Sequence, residues 1–182
     1  MNYYGGKDLA SAFRTVRQNT IQLANDIPDA QYDYAASEGS MTVARMLSHI
    51  AVSTHMPHAM HGVDKKTQLE MADFGAYMGQ AAQIEQLLTT KAEIINALTT
   101  HGETFAAWLE TLTDEQLGEH VHLPAGLTPP SKTRFEMLLG AKEHEMHHRA
   151  QLMVAQRLLG IVPHLTRNRM AAMAARAAAA TA

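Results

Sequence analysis

Cysteine is absent from the 182 residues, which removes disulfides, thiolate zinc sites and any cysteine nucleophile. A strong charge of either sign is lacking as well: the formal net charge is −3, which leaves no electrostatic footprint for DNA or RNA. Apolar runs are short and broken by charge, so no membrane span is expected. The opening Met1-Asn2-Tyr3-Tyr4-Gly5-Gly6-Lys7-Asp8 has neither the basic start nor the apolar stretch of a secretory signal. A cytoplasmic protein with no nucleic-acid or membrane partner is therefore the expectation. Missing too is any strand pair joined by a hairpin turn, which favours an all-α chain over α+β.

What is present is helical periodicity. Leu9, Phe13, Val16, Thr20, Leu23 and Ile27 recur every three or four residues and predict a helix over 8–26, stopped by Pro28. A polar connection leads to Thr42, which caps a second helix running to about Gly62. Residues 63–79 read as a connection of weak periodicity. The clearest stripe follows: Ile84, Leu88, Ala92, Ile95, Leu98, Gly102, Phe105, Leu109 and Leu112. Taken as one helix it spans roughly 45–50 Å. Thr113 and Gln116 form a capping box before a short extra turn, and the proline-rich loop from Leu123 to Pro130 follows it. Thr133 and Glu136 form a second capping box, opening a last long helix that ends near Gly160. Four long amphipathic helices predict a four-helix bundle over residues 1–165. Residues 166–182 form an alanine-rich extension, helical or frayed.

The histidines carry the chemistry. Eleven are present, and three matter because of where they fall. His144 and His148 are four apart, so one helix face presents both to a single ion. They lie on the stripe Met137, Ala141, His144, His148, Gln151, Ala155 and Leu158, read as the core-facing side of the last helix. His49 falls on a similar stripe of the second helix with Met46, Ser53 and Met56. Buried unpaired imidazoles are costly, and a metal ion supplies all three with a partner. Three histidine ligands leave an open coordination position, as metal-assisted chemistry requires. His147, three from His144, is an alternative chelator but lies off the stripe. His55, His58 and His61 form a second patch, either a further metal site or the solvated mouth of a pocket. His101, His120, His122 and His164 stand alone.

His144-Glu145-Met146-His147-His148 also matches the H-E-x-x-H signature of zinc peptidases, in which Glu145 would be the general base. That reading needs a downstream ligand. No acidic residue follows Glu145, and Gln151 and Val154 stand where the extended form requires glycine and histidine. Only His164 remains for it. Glu145, Arg149 and Gln151 are the catalytic candidates beside the ligands; the last two suit orienting a ligand or a substrate anion, or interhelical hydrogen bonding.

The chain resembles the DinB-like family, also called the DinB/YfiT-like metalloenzymes. The resemblance rests on Ile27-Pro28-Asp29, on Met41-Thr42-Val43 leading into Met46-Leu47-Ser48-His49-Ile50, and above all on His144-Glu145-Met146-His147-His148-Arg149-Ala150-Gln151. Arg157, Gly160 and Pro163 match the family's helix ending, while Ala150 departs from its usual glycine. The resemblance implies an up-down-down-up four-helix bundle and a nickel, zinc or similar divalent ion on His49, His144 and His148. It also implies, frequently, a homodimer. Relatives include S-transferases that use bacillithiol or mycothiol, and a thiol-dependent maleylpyruvate isomerase. Thiol-dependent S-transfer to a small electrophile is thus the expected activity, with a low-molecular-weight thiol as cosubstrate. Hydrolysis by activated water and a non-catalytic metal-binding bundle are the alternatives.

Overall fold

A computed structural model describes residues 4–180. Its elements are α1 (Gly6–Asp26), α2 (Val43–Val52), α3 (His55–His58), α4 (Met71–Glu85), α5 (Lys91–Glu110), α6 (Asp114–Gly118), β1 (His120–His122), β2 (Ser131–Thr133), α7 (Arg134–Leu158) and α8 (His164–Ala180). Helices α1, α2, α5 and α7 pack on one another as the bundle. Their directions follow from which residues meet. Gly6 abuts the carbonyls of Leu109 and Leu112, and Lys91 Nζ donates to the Ile27 carbonyl at 2.6 Å, so α1 and α5 are antiparallel. His101 Nδ1 lies 3.2 Å from the Ala51 carbonyl oxygen, while Gly62, further on, lies against Trp108, so α2 and α5 run together. Tyr4 stacks on Phe135, and Arg17 meets Glu145 further along, so α7 runs with α1. The order is up-down-down-up, as the family resemblance implied.

The bundle core has two apolar blocks with a polar layer between them, and a third apolar cluster gathers Met60, Leu69, Tyr77 and Val121. Phe13, Phe105, Leu109 and Leu138 fill one end, and Leu23, Leu47, Ile50, Leu98 and Leu152 the other. At the waist the Arg17 guanidinium, 3% exposed, meets the fully buried Glu145. Arg17 Nε lies 2.9 and 3.1 Å from the two carboxylate oxygens, Nη1 donates to the Leu98 carbonyl at 2.8 Å, and Nη2 to that of Ile50 at 3.2 Å. One side chain of α1 therefore ties α7, α5 and α2 together. Gly102 makes room for it, since a Cβ there would sit 2.8 Å from Arg17 Cγ.

Several sequence expectations are corrected. The long third helix is two. Thr90 ends the first by capping α5: its hydroxyl accepts from the Glu93 N–H at 3.2 Å while the Glu93 carboxylate accepts from the N–H groups of Thr89 and Thr90. The segment read as a connection is largely α4, whose start is fixed by the Asp73 carboxylate accepting from the Glu70 N–H at 2.9 Å. The second helix divides after Val52 into α2, then α3 and a wide turn over Ala59–Val63. Two three-residue strands do pair, antiparallel, with His120 opposite Thr133 and Val121 fully buried. They escape a periodicity reading because three residues are too few to show alternation. The alanine-rich extension is helical within α8, and residues 181–182 lie outside the described residues. Among the described residues, no helix is long and apolar enough to cross a membrane.

Candidate metal centre

The Thr42 hydroxyl accepts from the Arg45 N–H at 3.2 Å and starts α2, which presents His49 just before its end. Across from it, α7 begins at Thr133, whose hydroxyl accepts from the Glu136 N–H, and carries His144 and His148 one turn apart. The Arg17–Glu145 pair fixes the rotation of α7. With Glu145 held in the core, its neighbours His144 and His148 turn toward α2, and the backbone beside His49, at Ile50, is held by the same guanidinium.

The three rings converge. Their centroids lie 5.0, 4.9 and 4.5 Å apart, and one ligand atom from each falls within 4.8 Å of the others. His49 Nε2 and His144 Nε2 are 2.9 Å apart. Two nitrogens each about 2.0–2.1 Å from a shared ion, at an angle between square and tetrahedral, are about 2.8–3.4 Å apart. The His49–His144 pair is therefore spaced for a shared divalent ion, with a His148 nitrogen within 4.8 Å of both. The tautomers fit as well. His148 Nδ1 donates to Gln151 Oε1 at 2.8 Å, which leaves its Nε2 lone pair free. His49 Nδ1 faces Glu85 Oε2 at 3.7 Å, again leaving Nε2 for the shared point. Burial, with the neighbouring imidazoles, pushes His144 down to about 4, and burial also holds His148 below its ordinary value. Both rings are neutral at physiological pH, the form a metal ion needs.

The other candidates sort by geometry. Gln151 orients His148. Arg149 donates to the Val16 carbonyl at 3.0 Å and ties α7 to α1. Glu145 is fully buried and its carboxylate is taken up by Arg17, about 60–100° around α7 from the two histidines, so it faces that guanidinium rather than the rings. His147 is exposed and stacks on His148 with centroids 5.0 Å apart, outside the ligand trio. The His55, His58 and His61 patch does not converge: His55 Nε2 lies 3.2 Å from Gln80 Oε1, His58 stacks on Trp108, and His61 is buried against Arg134. Glu85 was not foreseen, because nothing in the sequence indicates that α4 packs against α2.

His61 makes a testable contribution to stability. Its Nδ1 accepts from Arg134 Nη1 at 2.9 Å, and burial together with that cation pushes its pKa down to about 4. The folded state then binds fewer protons than the unfolded one between that value and the ordinary 6.5. Stability is full above about pH 6.5 and falls, by about 3 kcal/mol in all, as pH drops toward 4. In His61→Gln the melting temperature should fall less steeply over this window. An unchanged pH slope would refute the assignment.

Beside the rings opens a cavity of ≈ 520 Å³ between α2, α3, α4 and α7, with His49, His144 and Glu85 in its wall. Comparison with known proteins fits this arrangement. Residues 12–152 match the profile of the DinB superfamily. The uncharacterized protein YjoA of Bacillus subtilis (strain 168) is 29% identical over 152 residues, covering 84% of this chain and 89% of that one. The crystal structure of YjoA, a DinB-like protein, aligns at a TM-score of 0.61 with 26% identity over 84% of this chain and 91% of that one. YfiT of Bacillus subtilis, described as a probable metal-dependent hydrolase with an unusual four-helix bundle topology, aligns at 0.63 with 19% identity, covering 86% and 88%. The mycothiol-dependent maleylpyruvate isomerase aligns at 0.58 with 12% identity, covering 81% of this chain and 60% of that one. The likeness to these last two is one of fold.

Proposed function

The chain belongs to the DinB superfamily, and from that premise we propose that it is a metal-dependent enzyme that hydrolyses a small molecule, with a divalent ion held by His49, His144 and His148. The observation that carries this reading is the convergence of three imidazoles, two of which, His49 and His144, stand in the wall of a ≈ 520 Å³ cavity. A zinc or nickel ion there would supply Lewis acidity, easing the loss of a proton from a water or thiol on its open side. The chain's own residues do the rest. Gln151 holds the His148 ring with its Nε2 inward, and the Glu85 carboxylate faces Nδ1 of His49. Glu85 is also the only carboxylate among the described lining residues. It is the proton acceptor available to an attacking water, which favours hydrolysis. That agrees with the description of YfiT.

Transfer of a low-molecular-weight thiol to an electrophile is the second reading. It is favoured by a chain with no thiol of its own and by the fold shared with a mycothiol-dependent isomerase. The test offers an uncharged aryl ester and an epoxide to zinc- or nickel-loaded protein, with and without bacillithiol and mycothiol. Ester turnover that needs the ion, ignores thiols and falls by about 100-fold in Glu85→Gln supports hydrolysis. Epoxide consumption that rises with thiol concentration supports transfer instead. Failure of the protein to retain either metal overturns both.

A further inference from the structure

A glycine inside a helix is a destabilising choice, because it frees the unfolded chain and packs nothing. Gly140 occupies such a place in α7, one turn before His144 on the same face. A Cβ built there would meet no atom within 4 Å. The open space is the cavity itself, whose wall includes both Gly140 and His144. The missing side chain keeps that cavity open to His49 and His144.

Apart from Ser53, His61 and Glu85 the rest of the wall is apolar, with Val52, Met56, Met60, Phe74, Met78 and Met137 as its main side chains. Methionines adapt to irregular apolar shapes. Among the described lining residues there is no lysine or arginine, and the one ionised group, Glu85, is negative. An anion pushed against such a wall loses its water and gains no counter-ion. The volume of ≈ 520 Å³ lies in the usual range for a small-molecule site.

We propose that the substrate has a polar reactive head directed at His49, His144 and His148 and an uncharged, mainly hydrophobic body that passes Gly140 into this cavity. A carboxylate or phosphate on that body is rejected. The inference rests on the metal reading for the head and on the cavity alone for the body.

The test compares three hydroxamates by calorimetry on the zinc-loaded full chain. Acetohydroxamate is the head alone, octanohydroxamate adds an apolar body, and suberic acid monohydroxamate ends a body of the same length in a carboxylate. Octanohydroxamate should bind at least tenfold more tightly than either of the others. Gly140→Leu should abolish that advantage while leaving zinc content and acetohydroxamate affinity at the wild-type level. Should Gly140→Leu not fold, Ala81→Phe fills the cavity from the opposite wall and takes its place. Equal affinity for the carboxylate analogue, or an advantage that survives a filled cavity, overturns the proposal. Loss of zinc and of acetohydroxamate binding in the wild type counts against the metal reading alone. The cavity is then judged with octanamide, which must bind the wild type and not the filled variant, and any other result overturns it.

Discussion

Glu145→Ala is expected to destabilise the fold by about 3–5 kcal/mol, because it leaves the buried Arg17 guanidinium with no counter-charge. Burial already pushes that guanidinium below its ordinary pKa, and Glu145 opposes the shift. The carbonyls of Leu98 and Ile50 satisfy two of its donors but carry no net charge. A domain of this size has about 5–15 kcal/mol in total, so the variant should be partly unfolded at modest denaturant concentrations. The double replacement Arg17→Met/Glu145→Met should recover most of the loss, since an apolar pair removes both charges at once. Urea midpoints of the single and double variants measure the difference. A Glu145→Ala midpoint close to wild type, coupled to lost activity, would restore Glu145 to the chemistry and remove it from the frame.

That same pair explains why the last helix is harder to read than the first. The period predicts a core-facing stripe through Met137, Ala141, His144, His148, Gln151, Ala155 and Leu158; His148 and Ala155 are buried, yet Leu158 is 60% exposed. The buried side is rotated from it and also takes in Leu138, Glu145, Leu152 and Gln156. A glutamate in mid-stripe looks like solvent, and only its partner 128 positions earlier makes it core. On α1 the apolar stripe was legible, and Arg17 was passed over for the same reason. Capping chemistry read well where it was sought: Thr113 and Thr133 start α6 and α7 as their sequences indicate. The equivalent signal at Thr90 and Glu93 was hidden by a hydrophobic period that continues across it from Ile84 to Ile95. The pairing of His144 with His148 is legible because four-residue spacing on one helix is local information. Their meeting with His49 depended on which helices are neighbours, and here the family resemblance supplied what periodicity does not.

Removing a ring from the trio should separate metal from fold. His49→Ala, His144→Ala and His148→Ala are each expected to abolish stoichiometric zinc binding, since two imidazoles without a third leave a weak, solvent-competed site. Gln151→Leu removes only the acceptor that sets the His148 tautomer and should weaken zinc by roughly 10–100-fold. None of these side chains belongs to the two apolar blocks that fill the bundle. The metal-free variants should therefore melt close to the metal-free wild type, in contrast to Glu145→Ala. The loaded wild type should melt higher by an amount that grows with zinc concentration. Elemental analysis after gel filtration reads the first effect and thermal scans read the second. If the ring variants instead unfold with loss of metal, the ion is a structural staple and the open coordination position has no catalytic meaning. The buried ion pair predicts the opposite, because it holds α7 against α1, α2 and α5 whether or not the rings above it share an ion.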